Sequence, residues 1–213
     1  MIFLYVPMAL AALYRWGAPD PWSRVDSFSV AVLLGTILVA AEQIAFSRSV
    51  WNDDAKGEAL GMTFDPGLAK WGGLLGLAEL RVFLEYGHWN LAPALENPIV
   101  QYAGVILYFA ALVWLRWADA TLARNFNSAA GRRLLLASGP FRYIRHPRYA
   151  GLIATRIAMA LAMASVVGWV CFAGWAWVIR RRVIREEPHL VRYFGEEYVE
   201  YAKRTWRLVP GIY

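Results

Sequence analysis

The chain has 213 residues, 59% of them apolar and 18% charged, against roughly 45–50% and 25% in soluble domains. That length suits one domain, and a soluble fold of this size has no place for 11 Trp, 11 Tyr and 10 Phe, whereas a membrane interface takes aromatic rings readily. The net charge of +6 is uneven: residues 1–131 carry 8 Lys/Arg against 11 Asp/Glu, net −3, and residues 132–213 carry 14 against 5, net +9. Because the basic residues alternate with apolar spans, they fit a membrane-facing cytoplasmic surface better than a nucleic-acid partner.

In chain order, residues 1–16, 28–46, 68–89 and 99–120 are each apolar enough for a helix crossing a bilayer, which needs about 17–25 residues. The first has no basic flank before it and reads as a retained span rather than a cleaved signal. The next apolar stretch, residues 149–179, is too long for one span and too short for two. With Ser165 and Gly168 near its centre, it predicts a tight helical hairpin whose two ends lie on one side. The connection before it carries Arg132, Arg133, Arg142, Arg145 and Arg148 with no acid, and Arg180, Arg181 and Arg182 follow it. By the positive-inside rule both flanks are cytoplasmic, which places the N-terminus there too. Gly195 reads as a helix stop, followed by a short amphipathic helix. The expected fold is all-α: a polytopic membrane protein of five to six helices, with residues 1–120 as N-terminal spans and residues 121–213 as the core of one integrated domain.

Three charges, Glu79, Arg81 and Arg156, fall inside apolar spans, where each costs several kcal/mol unless paired; an ion pair between Glu79 and Arg156 is the simplest expectation. Cys171 is the one cysteine, so neither a disulfide framework nor a cysteine metal site is expected. His88, His146 and His189 lack ligand spacing, and no Walker loop or GxGxxG is present.

The chemistry concentrates in two stretches. In the first, Ser138-Gly139-Pro140-Phe141-Arg142-Tyr143-Ile144-Arg145-His146-Pro147-Arg148-Tyr149-Ala150-Gly151, Gly139-Pro140 marks a turn. Pro147 forces His146 out of the α region and itself suits a first helical turn. In the second, Arg180 to Leu190, Arg182 and Glu186 share a helix face at i and i+4. The hairpin would bring the His146 loop and the Glu186 helix end together as one cytoplasmic pocket. Arginines could take a carboxylate there, glutamates could accept from hydroxyls or an ammonium, and aromatic faces could attract a sulfonium. Anionic lipid headgroups are a competing use for Arg142 and Arg148, and Tyr193, Tyr198 and Tyr201 are as well suited to interface anchoring as to ligand contact.

The strings LLASGPFRYIRHPRYAG and REEPHLVRYFGEEYVEYAKRTWRLVP closely resemble the C-terminal signature of the isoprenylcysteine carboxyl methyltransferases and the related phospholipid methyltransferases. The shared pattern is an RHPxYxG core, a Glu-Glu pair, FGxEYxxY and a closing Pro, over about residues 120–213. The resemblance implies an integral membrane enzyme, in a bacterial inner membrane or the endoplasmic reticulum. It would move a methyl group from S-adenosyl-L-methionine to a lipophilic small-molecule or lipid acceptor, as a carboxylate ester or on an amine. It also implies that Arg133, Leu134, Leu135, Leu136 and Phe141 line the cofactor, and that His146, Pro147, Arg148 and Tyr149 wrap its other side. Glu186, with Glu187, would bind it as carboxylates. Arg145 would sit near the reacting centre and Arg182 would face the substrate. Phe141 stands where the family often has Tyr, and Pro188 is expected to kink the helix after the Glu pair. A sterol-type membrane reductase using NADPH and a non-catalytic lipid-binding protein share the expected topology.

Overall fold

The computed structural model describes residues 34–38, 41, 66–88, 95–128 and 135–213. The expected spans over residues 1–16 and 28–46 lie outside these, apart from the helical residues 34–38 and 41. Among the described residues the chain is helical: α1 Pro66–His88, α2 Pro98–Ser128, a 3₁₀ turn Gly139–Arg142, α3 Pro147–Ala162, α4 Val166–Phe194 and α5 Glu196–Arg204. The sole extended pairing among them is an isolated parallel bridge between Ile144 and Trp206.

The helices at residues 68–89 and 99–120 form where hydropathy places them, each continuing further as helix at one end or both. Among the described residues one segment, Pro98–Arg124, is long and apolar enough to cross a bilayer by itself. Asn97 caps it, its side-chain oxygen accepting from the Ile99 N–H at 3.0 Å. Its outward face keeps Ile106, Val113 and Trp117 exposed, as lipid contact would require. Its inward face carries Val105, Tyr108, Leu112 and Leu115, spaced three and four apart, against Ala158, Met159, Ala162 and Met163 of α3. The approach is close: a Cβ on Gly104 would lie 2.5 Å from the Ala162 nitrogen.

α3 and α4 are the predicted hairpin. The turn is built around Ser165, whose hydroxyl accepts from the Gly168 N–H at 2.8 Å. The amides of Met163, Ala164 and Ser165 bond back to the carbonyls of Met159, Leu161 and Ala160. Met163, Ala164, Ser165 and Gly168 are buried, and their amides are all bonded, as surrounding hydrocarbon requires. Ala164 has φ 48°, a left-handed conformation that costs an alanine on the order of 1 kcal/mol. At 1.5 Å per residue the 16 residues of α3 span only about 24 Å. A full hydrocarbon core measures about 30 Å, so the hairpin is shorter than a complete double crossing.

α1 packs on α4 through an edge-to-face pair of Trp71 and Trp177, centroids 6.3 Å apart. The expected pairing of intramembrane charges forms: Arg156 Nε donates to Glu79 Oε1 at 2.9 Å, and its guanidinium lies 4.8 Å from the Trp175 ring. Thr155 and Met159 of α3, Thr36 and Tyr108 close a void of about 10 Å³ around the pair. α4 does not end at Pro188. It runs on to Phe194, and Gly195, with φ 60°, ends it in a conformation that favours glycine.

Removing one partner of a buried ion pair costs about 3–5 kcal/mol. Arg156→Leu is therefore expected to lower thermal stability in detergent sharply, and Glu79→Gln on top of it should recover most of the loss. Gly104→Ala forces α2 and α3 apart and should cost about 1–3 kcal/mol by the same assay.

Candidate active site

The site begins at α3's N-terminus. His146, with φ −122°, has left the α region as the following proline demands. Pro147 occupies the first helical position, and its carbonyl accepts from Trp114 Nε1 on α2 at 2.9 Å. Arg148 turns to Asp119 of α2 and pairs with it. α3 is thereby pinned to α2 in its first turn, and the His146 and Tyr149 rings stack at 5.7 Å with 19° between planes.

α4 brings the carboxylates to this point. Adjacent helical residues differ by about 100° in direction, so Glu186 and Glu187 meet different partners. Glu186 Oε1 accepts from the Tyr149 hydroxyl at 2.5 Å and from Arg182 Nε, one turn back, at 3.0 Å. Its Oε2 lies 3.9 Å from His146 Nδ1. Glu187 Oε2 takes Arg207 Nε at 2.9 Å, and its Oε1 lies 3.3 Å from Arg145 Nε and 3.6 Å from His146 Nε2. The imidazole thus sits between two carboxylates that are 4% and 9% exposed.

Burial alone would push the Glu187 carboxyl upward, but the nearby His146 ring, the hydrogen bond from Arg207 and the charge of Arg145 outweigh it and hold the group below its ordinary range. Its partner responds in the matching sense: bonding to Glu187 raises the Arg207 guanidinium. Several buried polar atoms here make no hydrogen bond within the protein, namely Arg145 Nε, His146 Nε2, Glu187 Oε1 and Tyr198 Oη. In native proteins such atoms are few, and each needs an explanation such as a ligand or ordered water. Beside the cluster, a groove of about 610 Å³ opens over the 3₁₀ turn, lined by Ser138, Gly139, Arg142, Tyr201, Arg204 and Thr205, among others. That is the size of a small-molecule site.

The phospholipid methyltransferase family matches residues 99–197, a stretch that contains both the His146 loop and the Glu pair. Similar proteins include a protein-S-isoprenylcysteine O-methyltransferase of Dictyostelium discoideum, 27% identical over 64% of this chain and 61% of that protein. The human protein-S-isoprenylcysteine O-methyltransferase is 34% identical over 43% of this chain and 34% of its own length. The chain therefore spans under two thirds of these relatives. A solved structure of a eukaryotic intramembrane Ras methyltransferase, an isoprenylcysteine carboxyl methyltransferase, shares the fold at TM-score 0.61 and 17% identity, covering 98% of this chain and 74% of that one. Over residues 99–197 the chain is thus similar to the phospholipid methyltransferases, and it shares its fold with the solved isoprenylcysteine carboxyl methyltransferase.

Against that family signature, the structure brings together Arg145, His146, Tyr149, Arg182, Glu186 and Glu187. Pro147 and Arg148 are spent on α2, the first through its carbonyl and the second through Asp119. Arg133 and Leu134 lie outside the described residues, while Leu135 and Leu136 run half-buried into the 3₁₀ turn. Phe141 is half-buried, and its carbonyl accepts from the Tyr201 hydroxyl at 2.7 Å. Tyr201 and Tyr198 are buried packing residues, whereas Tyr193 stays exposed. The methyltransferase signature also hid three contributors that the spacing of residues did not mark: Asp119, Trp206 and Arg207. For Arg207 a signal existed, since the basic RTWR string sits next to a carboxylate pair that needs cations, but nothing local says that the chain doubles back.

A carboxyl held below its ordinary range stabilises the fold above the unfolded carboxyl pKa, near 4.3 for Glu. That contribution is lost as pH falls through the lower folded value. Thermal stability of the protein should therefore fall on acidification below about pH 4.3, and Glu187→Gln should show a shallower fall over the same range.

Proposed function

We propose that this protein transfers a methyl group from S-adenosylmethionine to a lipophilic acceptor within the membrane, with the acceptor a carboxylate on an isoprenylated cysteine, as the names of its relatives suggest. One observation carries the reading. Residues about forty positions apart in sequence converge on a single cluster of imidazole, phenol, carboxylates and guanidinium groups at one end of an apolar hairpin, inside the stretch that matches the family.

The donor set fits the cofactor. A nucleoside with an amino-acid tail offers hydroxyls and an ammonium to Glu186, a carboxylate to an arginine, and a sulfonium to the stacked rings of His146 and Tyr149. The atoms of Arg145, His146, Glu187 and Tyr198 that make no hydrogen bond within the protein offer further donors and acceptors. The family resemblance adds Arg133, Leu134, Leu135, Leu136 and Phe141 to the cofactor's lining. Arg148 supports through Asp119. When bound, the cofactor supplies an electrophilic methyl for in-line displacement, and the protein's part is positioning.

Arg182 is the residue to orient an acceptor carboxylate: it remains about one-third exposed while anchored on Glu186. Arg145 is fixed by the Ala202 carbonyl at 3.1 Å and paired with Glu187. A carboxylate acceptor needs no proton removed, so the carboxylates hold geometry rather than act as bases. Five or six membrane helices, arranged by the positive-inside rule with the arginine-rich end in the cytoplasm, would admit the acceptor sideways from lipid and the cofactor from water.

Membranes holding the protein are expected to transfer label from a radiolabelled methyl donor to an isoprenylcysteine acid, in alkali-labile form. Alkali-stable label would point to N-methylation, and no label at all would sink the proposal. A charge-assisted hydrogen bond contributes about 1.5–3 kcal/mol, so Glu186→Gln should lower kcat/KM by about 10- to 100-fold.

A further inference from the structure

Residues 205–213 lie over the His146 loop as a strap. The Arg145 N–H donates to the Trp206 carbonyl at 2.7 Å, the His146 N–H to the Arg207 carbonyl at 3.1 Å, and the Trp206 N–H to the Tyr143 carbonyl at 3.1 Å. Leu208 follows and is buried with Tyr149, Ile179 and Val183, so the strap packs under the same tyrosine that bonds Glu186. It then folds back, with the Leu208 and Val209 amides donating to the Tyr213 carbonyl at 2.8 and 2.9 Å and the Tyr213 ring 5.3 Å from the Arg207 guanidinium.

Arg207 closes a loop of contacts. Its carbonyl holds the backbone of His146, while its Nε and Nη2 grip Glu187 Oε2 at 2.9 and 2.8 Å. The other oxygen of that carboxylate faces the His146 ring. One residue thus fixes His146 from the backbone side and from the ring side together. It also occupies the Glu187 oxygen that would otherwise compete with Glu186 for a cationic ligand.

We propose that Arg207 is a positioning residue: by latching residues 205–213 onto Glu187 it sets the pose of His146, and so governs affinity for the nucleoside cofactor without touching the acceptor. The proposal rests on the methyl-transfer reading. A purely structural strap would change overall stability, whereas a positioning latch acts on one ligand and one loop.

The test uses the full chain in detergent or nanodiscs, with S-adenosylhomocysteine as calorimetric probe. Arg207→Gln should weaken binding about tenfold or more, with Arg207→Lys recovering part of it, and the acceptor KM should stay within about twofold. In ligand-free protein, hydrogen exchange at the Arg145 and His146 amides should accelerate in Arg207→Gln, while the Met163 and Ser165 amides of the hairpin tip keep their protection. Unchanged affinity, unchanged exchange at the loop, or acceleration everywhere would each overturn the proposal. If the unsubstituted protein fails to bind the probe, the methyl-transfer reading falls and takes the cofactor role of Arg207 with it. That result is distinguishable from failure of Arg207 alone, in which the parent binds and the variant binds equally well.

Discussion

The arrangement depends on two neighbouring carboxylates at the end of one helix being held apart by their partners. Buried together, Glu186 and Glu187 would repel each other and pay heavily for desolvation. The hairpin geometry solves this by giving each its own cations. Arg182 and the Tyr149 hydroxyl serve the first; Arg207 and Arg145 serve the second, with the His146 ring between them. Everything that positions this end of α4 against the start of α3 follows: the α2 anchors on Pro147 and Arg148, the close packing at Gly104, and the tight turn at Ser165.

A charge deeper in the apolar part obeys the same rule. Arg156 reaches Glu79 across the interface of α3 and α1 and leans on Trp175. Tyr149 and Arg156 are seven residues apart on α3, and so share one face of that helix. Arg182 and Trp175 do the same on α4. Two matched faces therefore run inward from the carboxylate cluster, each alternating apolar contacts with a polar or aromatic stop, and they fix the helices in rotation as well as in depth.

Much of this was legible in the sequence where a strong constraint acts alone. A charge in an apolar span has to find a partner, which made Glu79 with Arg156 predictable. An apolar run of intermediate length with Ser165 and Gly168 at its middle has to fold back. Pro147 dictates the conformation of His146, and i, i+4 spacing joins Arg182 to Glu186. What escaped were choices among equals. Arg148 sits in a run of arginines, and nothing in that run says that it alone turns toward Asp119. The strap at Trp206 and Arg207 pairs a single residue with Ile144, too short a strand to leave any alternation behind.

The length of α3 has a consequence for where chemistry can occur relative to the lipid. Its 16 residues act as a ruler from the buried turn at Ser165 to the His146 loop, and α4 runs alongside it from that turn to the glutamates. Both arms are measured from one tip, so inserting a full turn into one arm alone would slide the two halves of the cluster about 5.4 Å out of step. An equal insertion in both would move the cluster outward as a unit. The register between a water-soluble reactant and a lipid-embedded one is thus written as a residue count, common to both arms of the hairpin.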